Sequence, residues 1–251
     1  MTESNTELMR PHWWSRAIQI GAVIAIVMLL IGPLGTKFGI FPWQIGLMLM
    51  AGATVLAAIG LIGGLWGYMI ARSKGYALDK PLCGLGALLS AVVLAVFGSQ
   101  FMAATSVPGI HNISTDINDP PVFNAVTALR AVDPDNNSLD YDATKLGPLQ
   151  TEAYPDVKSL QTDLDRSAAL ARSVSVLEDM GLEIVEADPE GRIVEATFTS
   201  FWFGFKDDLV VRIRPQGGGS LIDLRSVSRV GESDLGANAK RISEFLARFA
   251  G

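Results

Sequence analysis

The stretch that decides the fold runs from Arg192 to Phe249: RIVEATFTS FWFGFKDDLV VRIRPQGGGS LIDLRSVSRV GESDLGANAK RISEFLARF. Three segments in it alternate apolar and polar residues at period two, the mark of half-buried strands. In the first, Val194, Ala196, Phe198 and Trp202 point one way; Glu195, Thr197, Thr199, Phe201 and Phe203 point the other. Leu209, Val211 and Ile213 then oppose Val210, Arg212 and Arg214, and Ile222, Leu224 and Ser226 oppose Asp223, Arg225, Val227 and Arg229. Turns near Lys206-Asp207 and at Gln216-Gly217-Gly218-Gly219 are short, so neighbouring strands are antiparallel and form a meander. The stretch closes on an amphipathic helix with Leu235, Ala239, Ile242, Phe245, Leu246 and Phe249 on one stripe, Ser233 or Asp234 able to cap it, and Arg248 at its negative end.

Working upstream, Leu182–Ala187 reads as a further strand, and Asp188-Pro189-Glu190-Gly191 as a turn. Ser159–Gly181 carries apolar residues at helical spacing, with Gly181 as a stop. Both helices must bury their stripes on the apolar sheet face. The expectation is a two-layer α+β domain over residues 155–251: an antiparallel meander of about four strands with two helices packed on one face.

The other face then presents Arg212, Arg214, Arg225 and Arg229 beside Thr197, Thr199, Phe201 and Phe203. Arginine forks suit phosphate and carboxylate, so one reading is an anion- or partner-binding surface to which the aromatics contribute. The plainer reading pairs the arginines across strands with Glu195 and Asp223. At the last strand-to-helix turn, Ser228, Arg229, Ser233, Asp234 and Asn238 gather. An anion could sit there on the helix start, or Ser233 and Asp234 cap the helix while Arg229 pairs with Asp234.

Residues 105–154 read as an irregular linker punctuated by Val107-Pro108-Gly109, Asp119-Pro120-Pro121 and Asp133-Pro134-Asp135, with one short structured piece at Val122–Ala131. A loop this long either serves a function or wraps the domain. Coverage of the sheet by this segment would make the arginines structural. The acidic run Asp133, Asp135, Asn137, Asp140, Asp142 begins like a calcium loop, but Ser138 replaces the turn glycine and Thr144 the bidentate glutamate, so a solvated loop is the better reading. His111 is the only histidine beyond the leader, and any Ser-His device would have to use it. Adjacent Asp207 and Asp208 read as turn residues rather than an acid–base pair. No cofactor or metal site is read.

The chain is 49% hydrophobic and 18% charged, too apolar for an ordinary soluble protein, and the excess lies in the first ~105 residues. Ala17–Leu34, Trp43–Ile70 and Leu82–Ala104 each reach membrane-spanning length with no ionisable residue. This predicts an α-helical anchor over residues 17–104 behind a cytoplasmic leader, 1–16. Arg10, Arg16, Arg72, Lys74 and Lys80 lie on one side of the spans and Lys37 on the other. The positive-inside rule therefore puts the N-terminus in the cytoplasm and the domain outside, in the periplasm of a two-membrane bacterium. Trp13, Trp14, Trp43 and Tyr76 suit the interfaces. The missing intramembrane charges disfavour a transporter. Gly60, Gly63, Gly64 and Gly67 have small-xxx-small spacing, for packing among the three spans or for docking a partner helix. A net charge of -6 argues against nucleic acid. Cys83, the sole cysteine, lies inside a span and excludes an internal disulfide.

Glu195-Ala196-Thr197-Phe198-Thr199-Ser200, Trp202 to Asp208, and Asp223 to Gly231 followed by Ser233-Asp234-Leu235-Gly236-Ala237-Asn238 resemble the domain of unknown function 1499 family. His111 to Asp116 and Ala153 to Lys158 fit it as well, so the resemblance runs from near residue 109 to the C-terminus. It implies no activity. Many members open the domain around a cysteine; this chain has Ile113-Ser114 there, so no thiol-dependent role carries over. The function these readings favour is a non-catalytic binding or assembly module for a partner protein, lipid headgroup or other anion. The alternative is a membrane-anchored envelope hydrolase using His111, Asp207 or Asp208.

Overall fold

The computed structural model describes residues 10–251, so most of the leader lies outside the described residues. Two compact units emerge. One holds the long helices up to Met102 and takes in Trp202–Gly204; the other comprises 103–201 and 205–251.

In the first unit, α1 (Trp13–Lys37), α2 (Trp43–Lys74) and α3 (Asp79–Thr105) are each long and apolar enough to cross a membrane, which suggests a membrane protein. They overrun the apolar spans by several residues at most ends, and Gly75 in the left-handed region stops α2. Ala25, Ala53, Ala57 and Val93 form a small-residue core. Glycine is required where helices touch. A Cβ on Gly64 would lie 2.9 Å from the Ala87 backbone nitrogen and the Cys83 carbonyl, one on Gly60 2.4 Å from Ser90 Oγ, and one on Gly67 2.9 Å from Cys83 Sγ and a Trp14 ring carbon. Gly63 has room, with Ile18 at 3.6 Å. So Gly60, Gly64 and Gly67 pack against α3 and α1 of the same chain. At the α1–α2 crossing, an added Cβ on Gly32 or Gly46 would lie 2.7 Å from the facing carbonyl. Gly64→Val is expected to lower thermal stability in detergent by about 1–3 kcal/mol through overpacking, and Gly63→Ala to leave it unchanged.

The second unit is built on one antiparallel sheet: β1 (Asn112–Ser114), β2 (Leu160–Thr162), β3 (Glu183–Asp188), β4 (Ile193–Thr199), β5 (Lys206–Gln216) and β6 (Gly219–Ser228). The order is β1-β6-β5-β4-β3, with β2 also on β6. The meander β3–β6 has the expected antiparallel pairing. Gly217 and Gly218 both have positive φ, 58° and 88°, as the two-residue hairpin between Gln216 and Gly219 demands. β1 and β2 are additions, each covering a different part of the β6 edge.

On one face lie α6 (Arg166–Asp179) and α7 (Ala237–Ala250). Leu170, Leu177, Ile242, Phe245 and Phe249 interlock there with Val194, Ala196, Leu209, Val211, Ile222 and Leu224. The helix expected from Ser159 begins at Arg166, because Asp165 accepts the Ser167 and Ala168 amides at 2.8 and 2.9 Å. Leu160 and Leu164 belong to the same core but reach it from β2 and from a loop. Helical spacing could not tell these routes apart. α7 likewise starts later than expected: Leu235 and Gly236 have φ of 54° and 80°, so Leu235 lies outside the helix and half-exposed.

The expected linker is a third layer. After β1 the chain crosses the opposite sheet face as an arm containing α4 (Ala125–Arg130), and α5 (Ala143–Ala153) follows it. Phe123 and Val126 pack on Val210 and Val227, with Leu139, Val185 and Ile193 around them. The sheet is thus covered on both faces.

Candidate functional site

Strand alternation brings Glu195 and Thr197 from β4, Asp208, Val210, Arg212 and Arg214 from β5, and Asp223, Arg225 and Val227 from β6 onto the arm-covered face. Register sets Thr197 opposite Asp208, Arg212 opposite Asp223 and Val210 opposite Arg225. The face that the sequence left as either open or covered by residues 105–154 is covered, and its arginines meet partners from the arm.

Arg225 is the most enclosed. Nε donates to Asn112 Oδ1 at 3.0 Å, one Nη to the Pro121 carbonyl at 3.1 Å and the other to the Leu139 carbonyl. The guanidinium lies 5.5 Å from the ring centroids of both Phe123 and Tyr141. Among the described residues no carboxylate lies within ion-pair range of it. Burial pushes its pKa down to about 10 and that of Tyr141 up to about 12. The arm thus holds this cation with carbonyl dipoles and ring faces.

A second network centres on Asp208, which is fully buried. It accepts from Arg130 of α4 at 2.9 Å, from Arg229 at 2.9 and 2.8 Å, and from Thr197 Oγ1 at 2.7 Å. Arg130 also donates to the Asn137 carbonyl at 2.6 Å, while the Asn137 amide donates to the Arg229 carbonyl at 2.6 Å. Arg229 therefore pairs with Asp208; the pairing with Asp234 does not form. Among the described residues Glu195 has no arginine within ion-pair range. It accepts the Asn124 and Val126 amides at 2.5 and 2.8 Å and so caps the start of α4 from β4.

At the rim, Asp223 accepts from Arg212 at 3.1 and 3.2 Å and from Ser159 at 2.6 Å, with Arg214 Nε 2.7 Å away. Arg212 reaches Asp119 at 3.0 Å and Arg214 reaches Asp116 at 2.9 Å. Burial works against the Asp116 charge, but the Asp119 and Asn118 amides and Arg214 outweigh it, and its pKa lies below the ordinary 3.8. A carboxylate so depressed contributes stability above its unfolded pKa and loses it as pH falls through the folded value. Hydrogen exchange at 115–119 is therefore expected to accelerate once pH drops below about 4, and Asp116→Asn to remove that acid step.

The opposite face carries a smaller cluster. Asp207 accepts from Arg241 at 2.8 Å, and Arg241 lies 4.3 Å over the Phe198 ring. Asn238 is fully buried: its oxygen accepts from Ser226 and Arg241 at 2.6 and 2.7 Å, and its nitrogen donates to Ser228 and to the His111 carbonyl at 2.9 and 3.0 Å. Asp207 and Asp208 are strand residues, since β5 begins at Lys206, and they serve opposite faces. The turn lies earlier, at Ser200–Phe205. There Phe201 is 71% exposed, outside the arginine face on which alternation had placed it, because β4 ends at Thr199.

The sequence from Asn112 to Phe249, more than half of the chain, matches the family described as "Protein of unknown function (DUF1499)". The chain belongs to this family. No curated protein matches it. The DUF1499 domain thus opens at β1 and includes the arm.

The remaining candidates lie in the DUF1499 domain or just before it. His111 Nδ1 lies 3.3 Å from the Glu232 carbonyl, the one side-chain contact it makes among those above. Asp234 accepts the Gly236 and Asn238 amides at 2.8 and 2.9 Å, so it does bind the start of α7, though Gly236 is the cap residue. Burial raises the Asp234 pKa, so its contribution has the opposite sign to that of Asp116 and falls as pH rises. Asp142 of the acidic run caps α5 through the Thr144 and Lys145 amides. Among the described residues no group of three His, Cys, Asp or Glu is placed to hold a metal.

Sequence reading missed Arg130, Tyr141 and Gln150, and saw Asn137 only as part of the acidic run. Gln150 accepts the Ser114 amide at 2.9 Å and donates to its carbonyl at 2.6 Å, satisfying β1 where a strand would otherwise pair. Arg130 at the end of the one short structured piece was the available signal. Outside the domain, Asp79 at the start of α3 is buried and accepts from His12 and from Ser15 Oγ. Ser15 bonds the aspartate and not the imidazole, so this trio ties α1 to α3 without assembling a nucleophile and base.

Proposed function

We propose that this protein is a membrane-anchored, non-catalytic binding or assembly module. Three spans hold it in the cell membrane, with the N-terminus cytoplasmic and the DUF1499 domain on the outer side, the periplasm where there are two membranes. The observation that carries this reading is that the domain's densest polar networks are buried and paired within the protein. Asp208, Arg130, Arg225, Asn238 and Arg241 are each less than a tenth exposed and bonded to fixed protein groups, with Arg130 Nε the one buried donor of the five left over. Catalytic groups need contact with a substrate and a proton to give or take. Asp207 and Asp208, on opposite sheet faces, cannot divide acid and base roles at one substrate.

A rigid, twice-covered sheet carried on a membrane anchor suits a protein partner in a membrane complex. An anionic lipid is the other candidate, reached through the rim arginines, of which Arg214 is the more exposed. Native mass spectrometry of the protein gently extracted from its own membrane tests the proposal. A co-purifying protein, or a bound lipid lost on Arg212→Ala with Arg214→Ala, supports it. Hydrolysis of an envelope substrate that is abolished by Asp207→Asn or His111→Ala, with the fold intact, overturns it.

A further inference from the structure

We propose that the β4–β5 turn is a membrane-interface anchor, seating the DUF1499 domain on the lipid headgroup layer. The turn reads Ser200-Phe201-Trp202-Phe203-Gly204-Phe205 and is followed by Lys206. Four of its six residues are aromatic. The loop is locked at its base. The Ser200 amide donates to the Phe205 carbonyl at 2.8 Å, and the Phe205 amide donates to Ser200 Oγ at 2.9 Å. Gly204, with φ +69°, supplies a bend that a side chain would strain. The locked loop leaves Phe201 71% and Trp202 54% exposed, with Lys206 exposed beside them.

Large aromatic rings that stay more than half exposed mark a contact surface. The chemistry selects the occupant. Tryptophan and phenylalanine flanked by lysine suit the boundary between acyl chains and headgroups, where rings lie in the apolar layer and the ammonium reaches the phosphates. The chain also limits where the domain can go. Residues 106–111 alone join the end of α3 to β1, a tether that reaches roughly 25 Å when fully extended. A bilayer spanned by α3 is therefore always within reach of this domain, whereas a soluble partner would have to be recruited.

The test uses the full chain in phosphatidylcholine–phosphatidylglycerol liposomes. Of its five tryptophans only Trp202 is kept, with Trp13, Trp14, Trp43 and Trp66 changed to phenylalanine. Lipids brominated high on the acyl chain are expected to quench Trp202 emission, and more than lipids brominated near the bilayer centre. Emission that brominated lipid leaves unchanged overturns the proposal, whether aqueous acrylamide reaches the ring (a solvent-exposed turn) or fails to reach it (a protein-covered one). A second variant guards against misfolding of the substituted spans. A nitroxide on Phe201→Cys, in a chain with every tryptophan intact and its other thiol, Cys83, buried, should be relaxed more by oxygen than by an aqueous nickel chelate. The reverse order overturns it. Neither result bears on whether a partner protein co-purifies, so this inference and the proposed function fail separately.

Discussion

Replacing Asp208 by alanine is expected to destabilise the DUF1499 domain by about 3–5 kcal/mol, the range for stripping one partner from a buried ion pair. Asp208 is the sole carboxylate bonded to Arg130 among the described contacts, and Arg130 is 5% exposed. Burial pushes the Arg130 pKa down and Asp208 pulls it back up, so removing the aspartate leaves a buried cation with only the Asn137, Val227 and Ser228 carbonyls to face. Arg229 loses the same partner, and Thr197 Oγ1 its acceptor. For a domain of this size the loss corresponds to a fall of roughly 10 °C in unfolding midpoint. Hydrogen exchange read at β5 and β6 isolates the domain from the membrane helices, which unfold separately. Adding Arg130→Met should recover part of the loss, because it removes the stranded charge and fills similar space. An Asp208→Ala protein with unchanged exchange at β5 would mean that the network contributes nothing to stability.

The second large effect is expected from Arg225→Ala, which should release the arm. The substitution strands Asn112 Oδ1 and the Pro121 and Leu139 carbonyls, and empties the space between Phe123 and Tyr141. Each unsatisfied buried acceptor costs about 1–3 kcal/mol, so the arm's local opening should ease by at least ~3 kcal/mol. That is roughly a hundredfold rise in the open population. Limited proteolysis between residues 116 and 142 should accelerate accordingly, while cleavage in the meander stays slow. Arg225→Lys should not rescue it, since an ammonium cannot reach three acceptors in one plane or stack between two rings. An unchanged cleavage rate in Arg225→Ala would show that α4 and Asn137 hold the arm without it.

These two residues also show where sequence reading stops. Period-two alternation placed Arg225 on the correct sheet face, because side-chain direction on a strand is a local property, but Asp208 read as a turn residue and proved to lie inside β5. What covers that face is set by residues far away in the chain: Pro121 is 104 positions from Arg225, and Arg130 is 78 from Asp208. The arm has no periodic pattern because it packs through single anchors, Phe123 and Val126, and through carbonyls that every residue type carries. A proline-broken segment rich in aspartate and asparagine looks the same whether it lies in solvent or is pinned to a sheet.

The sequence by itself determined the three apolar helices, the antiparallel meander, the side on which α6 and α7 bury their stripes, and membership of the DUF1499 family. Each of these rests on spacing or composition within a few tens of residues. Only the tertiary structure decided that the arginine face is closed, that Glu195 caps a helix instead of pairing with arginine, and that Leu160 reaches the core from a strand. Those outcomes depend on which distant group arrives within about 3 Å, and hydrogen-bond geometry in a folded interior selects that partner.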